Sequence, residues 1–216
     1  MDRRTFLGAG AALTIAAAVS SAVPAAAAEK EQGAARAEGG SAARGDGKVV
    51  GLPNLDKKGG KPLMDCLAGR RSTHAPGANA PSMEQLGALL YSAAGISSED
   101  GKLVVPTAMN RRKVQLFAVL EDGVWEYLPK EHAIKRVLMG DHRASFDKSG
   151  CILLYGAPVS ERFSAMHVGS MYQNAGLCCA SLGLKNCVKF QKCQSLDKDL
   201  PYAEGWETFI SQSVSA

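Results

Sequence analysis

Apolar and polar positions recur with recognisable periods only after about residue 49. Pro62 to Ala68 (PLMDCLA) reads as a short helix stopped by Gly69. Ser82 with Gln85 forms a capping-box pattern, and Leu86, Leu89 and Leu90 carry a helical stripe to about Ala94, which Gly95 closes. Lys113 to Leu120 (KVQLFAVL) is strand-like. Asp122-Gly123 marks a hairpin, and Val124-Trp125-Glu126-Tyr127-Leu128 alternates as the return strand, with Trp125 and Tyr127 as packing residues. Residues 131–139 predict a further helix. Cys151 to Tyr155 (CILLY), an apolar run between glycines, predicts a buried strand. Ser160 to Leu182 is the longest helical pattern, with Gly183 as its stop; Gly169 and Gly176 can share one face and admit another helix closely. Trp206 to Val214 predicts a last strand. Helices mixed with adjacent antiparallel strands predict an α+β (α/β three-layer) domain, a central mostly antiparallel sheet flanked by helices. No internal repeat is present.

The first 48 residues have a different character. Met1-Asp2-Arg3-Arg4 precedes an uncharged stretch from Thr5 to Ala28 that ends Val23-Pro24-Ala25-Ala26-Ala27-Ala28. A basic start, an apolar middle and a small-residue end follow the plan of an export signal. Arg3-Arg4-Thr5-Phe6-Leu7 resembles the bacterial twin-arginine signal, a receptor-read address; an ordinary secretory signal or an uncleaved anchor are the alternatives. The Ala- and Gly-rich middle is weakly hydrophobic for a membrane span, so no stable span is expected after cleavage. Residues 29–48 hold only Ala, Gly and polar or charged groups apart from these, and predict a disordered tether. The organisation expected is thus a signal (1–28), a tether (29–48) and one domain (49–216), with periplasmic or secreted localisation.

Composition matters once the two parts are separated. The 216 residues carry a net charge of +4, and the first 48 hold 16 of the 33 alanines. The remaining domain keeps a mild positive charge, too diffuse to suggest a nucleic-acid surface. Three places could carry chemistry. Arg70, Arg71, Ser72 and His74 follow a helix end and offer guanidinium forks and a hydroxyl to a phosphate. Pro106, Thr107, Ala108, Met109 and Asn110, followed by Arg111 and Arg112, form a small polar loop whose amide can meet a flat heterocycle. Gly183, Leu184 and Lys185 follow the long helix, where Lys185 and Lys189 could reach an anion. The bland reading of each is a solvated turn or a helix cap. Cys66, Cys151, Cys178, Cys179, Cys187 and Cys193 include no Cys-x-x-Cys, and no zinc-ligand spacing is present. Cys187 and Cys193 could form a disulfide or remain thiols. His132, His142 and His167 are scattered, and no nucleophile triad is visible.

These segments, in this order, resemble the nitroreductase superfamily of FMN-dependent enzymes, including the SagB-type oxidoreductases. The resemblance rests on Arg70-Arg71-Ser72, the Pro106–Asn110 loop, the Gly123–Pro129 hairpin, Gly169 with Gln173-Asn174, Leu182-Gly183-Leu184 and the terminal ISQSV, and spans about residues 62–214. It implies the nitroreductase-like fold, non-covalent FMN and a homodimer with two interface sites. Arg70, Arg71, Ser72 and His74 map to the phosphate and ribityl chain. Pro106 to Asn110 maps to the isoalloxazine side, supplied by the other subunit, and Gly183 to Lys185 maps to the far side of the flavin. The 160–182 helix maps to the dimer core. His74 stands where Arg or Lys is common, and Lys185 replaces a frequent second Gly. The implied activity is hydride or electron transfer between a donor and a small electron-poor molecule; a non-catalytic flavin-binding protein of the same fold is the alternative. Export would make NAD(P)H scarce and favours either another electron donor or a dehydrogenase direction that passes electrons away.

Overall fold

The computed structural model describes residues 43–216. The predicted signal and residues 29–42 of the tether lie outside the described residues. The strands are β1 (Val49–Gly51), β2 (Gln115–Leu120), β3 (Gly123–Leu128), β4 (Ala133–Met139), β5 (Cys151–Pro158), β6 (Lys185–Lys189) and β7 (Trp206–Ser215). They form one sheet in the order β1-β4-β3-β2-β5-β7-β6, every neighbouring pair antiparallel. The helices are α1 (Leu63–Gly69), α2 (Met83–Ala94) and α3 (Ser164–Leu182).

Local chemistry explains the elements that form where the sequence predicts them. The Ser82 hydroxyl accepts from Gln85 N at 3.2 Å, and the Gln85 side chain accepts from Ser82 N at 2.9 Å, so two otherwise unpaired donors at the start of α2 are satisfied. The β2–β3 hairpin turns at Asp122-Gly123, where Gly123 has φ 155° and a Cβ would meet the Leu138 carbonyl at 2.4 Å. At the end of α3 Gly183 adopts φ 73°, and Leu184 N donates to Cys179 O at 2.9 Å. The helix starts at Ser164, because residues 159–163 are mostly turn.

Residues 131–139 are a correction: they hold β4, not a helix. The Ala-Ile-Lys-Arg-Val-Leu-Met run has no strict alternation, and pairing with β3 on one side and β1 on the other decides its state. Strands β1 and β6 were not legible. Both are short edge strands, and Lys-Asn-Cys-Val-Lys is too polar to read as one. Residues 43–48, tether by composition, run beside β4: Gly45 N donates to Val137 O at 2.8 Å, Met139 N to Ala43 O at 3.0 Å and Arg136 N to Lys48 O at 2.9 Å. Arg136 also binds Asp46 through two nitrogens and lies 5.1 Å over the Trp125 ring.

Both sheet faces are covered. On one, Leu116, Trp125, Tyr127, Leu153 and Tyr155 pack under Leu89 and Leu90 of α2 and Val168, Met171 and Ala175 of α3. On the other, Phe117, Val119, Val124, Ile152 and Leu154 are covered by Leu196 and Leu200, so the third layer is turns rather than a helix. All six cysteines are free thiols. Among the described residues no helix is long and apolar enough to cross a membrane.

Candidate functional site

The first group of predicted residues gathers at the C-terminal half of α3. Edge strand β6 leaves one row of backbone groups unpaired by the sheet, and the segment after α1 takes up part of it: Thr73 N donates to Asn186 O at 2.7 Å. This brings Arg70–His74 and Gly183–Lys185 together. Gly176 of α3 leaves a gap one methyl group wide: a Cβ there would lie 3.4 Å from Arg70 Cδ and 3.8 Å from Asn186 Oδ1, ordinary contact distances. The side chain that faces Gly176 is that of Arg70. Arg71 turns back on its own helix end, where one nitrogen donates to the Ala68 and Arg70 carbonyls at 2.8 Å each. Ser72, His74 and Lys185 are exposed and Leu184 is buried. His74 Nδ1 is 4.0 Å from Cys187 Sγ, and His74 lines a cavity of about 350 Å³ with Lys189 and Asp147.

The cations of this group differ in their partners. Among the described residues no carboxylate pairs with Arg70, Arg71 or Lys185. Lys189, by contrast, is bound to Asp147, which also accepts from Ser213 Oγ and Ser149 N. Burial alone would raise the Asp147 carboxyl, but Lys189, Ser213 and Ser149 outweigh it and hold the group at about 2.

The second predicted group, Pro106–Asn110, lies at the other end of α3. Ala108–Asn110 form a 3-10 turn, and Ala108 N donates to His167 Nε2 at 2.7 Å. Met109, Asn110 and Arg112 have φ of 52°, 53° and 53°, so the loop holds three non-glycine residues in the left-handed region. Pro106, Met109 and Asn110 are exposed, and Thr107 and Ala108 are partly so. The arginines after it are occupied: Arg111 and Lys113 share Glu161 at 2.5 and 2.6 Å, and Arg112 donates to Asn110 Oδ1 and Asp100 O at 3.0 Å each. Arg112 also sits at the edge of an apolar cavity of about 300 Å³ lined by Ile96, Leu103, Leu116, Tyr127 and Pro129. None of the predicted phosphate-side residues reaches that cavity.

One chain does not unite the two groups. His167, which anchors the loop, precedes Gly176 by about 14 Å and Gly183 by about 24 Å along the helix axis, at ~1.5 Å per residue. Sequence reasoning missed His167, read as a scattered histidine, because its partner is 59 residues away. It also missed a buried polar chain beneath Arg70. The Tyr155 hydroxyl donates to Gln212 Oε1, and Gln212 Nε2 donates to Asn186 Oδ1 at 2.9 Å. The one available signal was the polar Ser-Gln-Ser inside the last predicted strand.

No protein-family model matches the chain. A candidate nitroreductase of Methanocaldococcus jannaschii is 25% identical over 166 residues, covering 65% of this chain and 82% of that protein. The crystal structure of a candidate nitroreductase from Ralstonia eutropha superposes with a TM-score of 0.72 at 26% identity, over 82% of this chain and 95% of that one. A nitroreductase from Bacteroides fragilis, solved with bound FMN, superposes with a TM-score of 0.52 at 13% identity, over 72% and 88%. The chain has the nitroreductase-like fold.

Proposed function

We propose that this chain is an FMN-dependent oxidoreductase that acts as a homodimer on a small electron-poor organic molecule. The observation that carries the reading is the set of cations at Arg70, Arg71 and Lys185, which no carboxylate neutralises among the described residues, next to the glycine-lined gap at Gly176. Uncompensated guanidinium and ammonium groups suit a phosphate, so the residues fit FMN. Arg70 and Lys185 would hold its phosphate, Ser72 would donate a hydroxyl, and His74 would offer a ring nitrogen. When bound, FMN supplies hydride or electron transfer at its ring, and the protein orients it.

The spacing along α3 supports the homodimer reading. A second copy with its α3 antiparallel to the first would bring the partner's Pro106–Asn110 loop to the Arg70 side, where it would face the flavin ring. Leu63 and Met64 of α1, Met109 of the loop and Met166 of α3 are large apolar residues exposed in the single chain, which a partner subunit would cover in this reading. The Arg3-Arg4 signal supports export to the periplasm or beyond, by a route that suits a protein folded around its cofactor. There the electron donor would be something other than NAD(P)H.

The purified protein should show the oxidised-flavin spectrum, or acquire it on addition of FMN, and lose it with dithionite. Arg70→Ala should raise the FMN dissociation constant at least tenfold, the scale of one charged hydrogen bond, and Arg71→Ala by less, because its guanidinium already serves Ala68 and Arg70. A colourless protein that takes up no FMN sinks the proposal. FMN that is bound but never reoxidised by any acceptor in stopped flow favours the non-catalytic alternative.

A further inference from the structure

Tyr155, Gln212 and Asn186 lie on adjacent strands β5, β7 and β6. The registers Leu153↔Gln212 and Tyr155↔Ile210, with Asn186↔Val214 and Val188↔Gln212, make each a diagonal neighbour of the next. All three are buried, Tyr155 and Gln212 completely. Their hydrogen bonds have only one satisfactory polarity. If the Gln212 amide were reversed, its Nε2 would donate to the tyrosine oxygen, and the Tyr155 proton would be sealed in the core without an acceptor. Tyr155 must therefore donate to Gln212 Oε1, Gln212 Nε2 must donate to Asn186 Oδ1, and Asn186 must turn its Nδ2 away from the chain.

That Nδ2 group is left over. It has no acceptor among the described residues, yet it is not sealed: His132 Nε2 is the only buried unpartnered side-chain polar atom among them. It belongs to the residue whose carbonyl anchors Thr73 and whose amide shares the Gly176 gap with the Arg70 stem.

We infer that Asn186 is a specificity-determining donor: its Nδ2, held outward by Tyr155 and Gln212, hydrogen-bonds an acceptor atom of the FMN bound beside Arg70. The inference rests on the FMN reading above. It makes Tyr155 a positioning residue that acts two side chains away, and it selects for a ligand that presents an acceptor there.

The test is an FMN titration of the full chain followed by flavin fluorescence, with NMR of the side-chain amides. Saturating FMN should shift the Asn186 Nδ2 protons downfield and slow their exchange with solvent in the unaltered protein, which an asparagine that makes no bond to the ligand would not show. Asn186→Leu, which keeps the branching at Cγ and removes the donor, should raise the dissociation constant about tenfold. Tyr155→Phe, which lets Gln212 reverse, should raise it several-fold while leaving Arg70 untouched. FMN uptake with an unmoved Asn186 resonance, or an Asn186→Leu protein that binds within twofold of the original, overturns this inference and leaves the FMN reading standing. Absence of FMN uptake by the unaltered protein overturns both.

Discussion

His167 shows how one side chain ties distant segments together. It accepts from Ala108 N through Nε2, so the bond needs that nitrogen unprotonated. Burial lowers the pKa of His167 and the neighbouring Arg111 cation lowers it further, against an opposing pull from Glu161. The unfolded chain takes up its proton near the ordinary value of about 6.5, before the folded ring does. The anchor's contribution to stability is therefore complete above that pH and declines as pH falls below it. His167→Ala should cost about 1–2 kcal/mol near pH 8, and the difference from the unaltered protein should shrink towards about pH 5. Urea denaturation at the two pH values measures this. A pH-independent difference would mean that His167 contributes only packing.

Elements whose signals are local were legible in sequence, and those settled by pairing were not. The Ser82–Gln85 box and the Asp122-Gly123 turn act within four residues, and both helix and hairpin stand where they were expected. The β4 segment carries residues acceptable to either state, and its neighbours chose the strand. The same division runs through the candidate site. Arg70–His74 and Gly183–Lys185 could be named from short motifs, whereas the Tyr155–Gln212–Asn186 chain spans three strands and leaves only polar residues in a buried strand as its trace. Gly176 tests whether α3 serves the fold or the ligand. Alanine in mid-helix should be favourable by about 0.5–1 kcal/mol relative to glycine, and its Cβ would fill the gap in ordinary contact with Arg70 Cδ at 3.4 Å. Gly176→Ala should hold or raise the melting temperature while weakening FMN binding. Unchanged affinity would show that the gap has no bearing on the ligand.

At the scale of the molecule, α3 packs along one face of the sheet through Val168, Met171 and Ala175. Its first turns carry the loop anchor and its last turns frame the cationic group. The net charge of the chain gave no hint of this. Arg111 and Lys113 share one carboxylate, Glu161, and Lys189 is paired with Asp147, so the cations of the second motif and of β6 are partly compensated, whereas, among the described residues, Arg70, Arg71 and Lys185 are not.

The separation of the two groups along α3 also has a genetic consequence. If each site takes Arg70 from one subunit and the loop from the other, two different inactive chains can repair each other. A chain with Arg70→Ala and a chain with a defective loop, such as Asn110→Ala, should each be inactive alone. Mixed and allowed to exchange subunits, they should recover about a quarter of the original sites, since half of the dimers are mixed and each holds one intact site. Were both groups used within a single chain, no mixing ratio would restore anything.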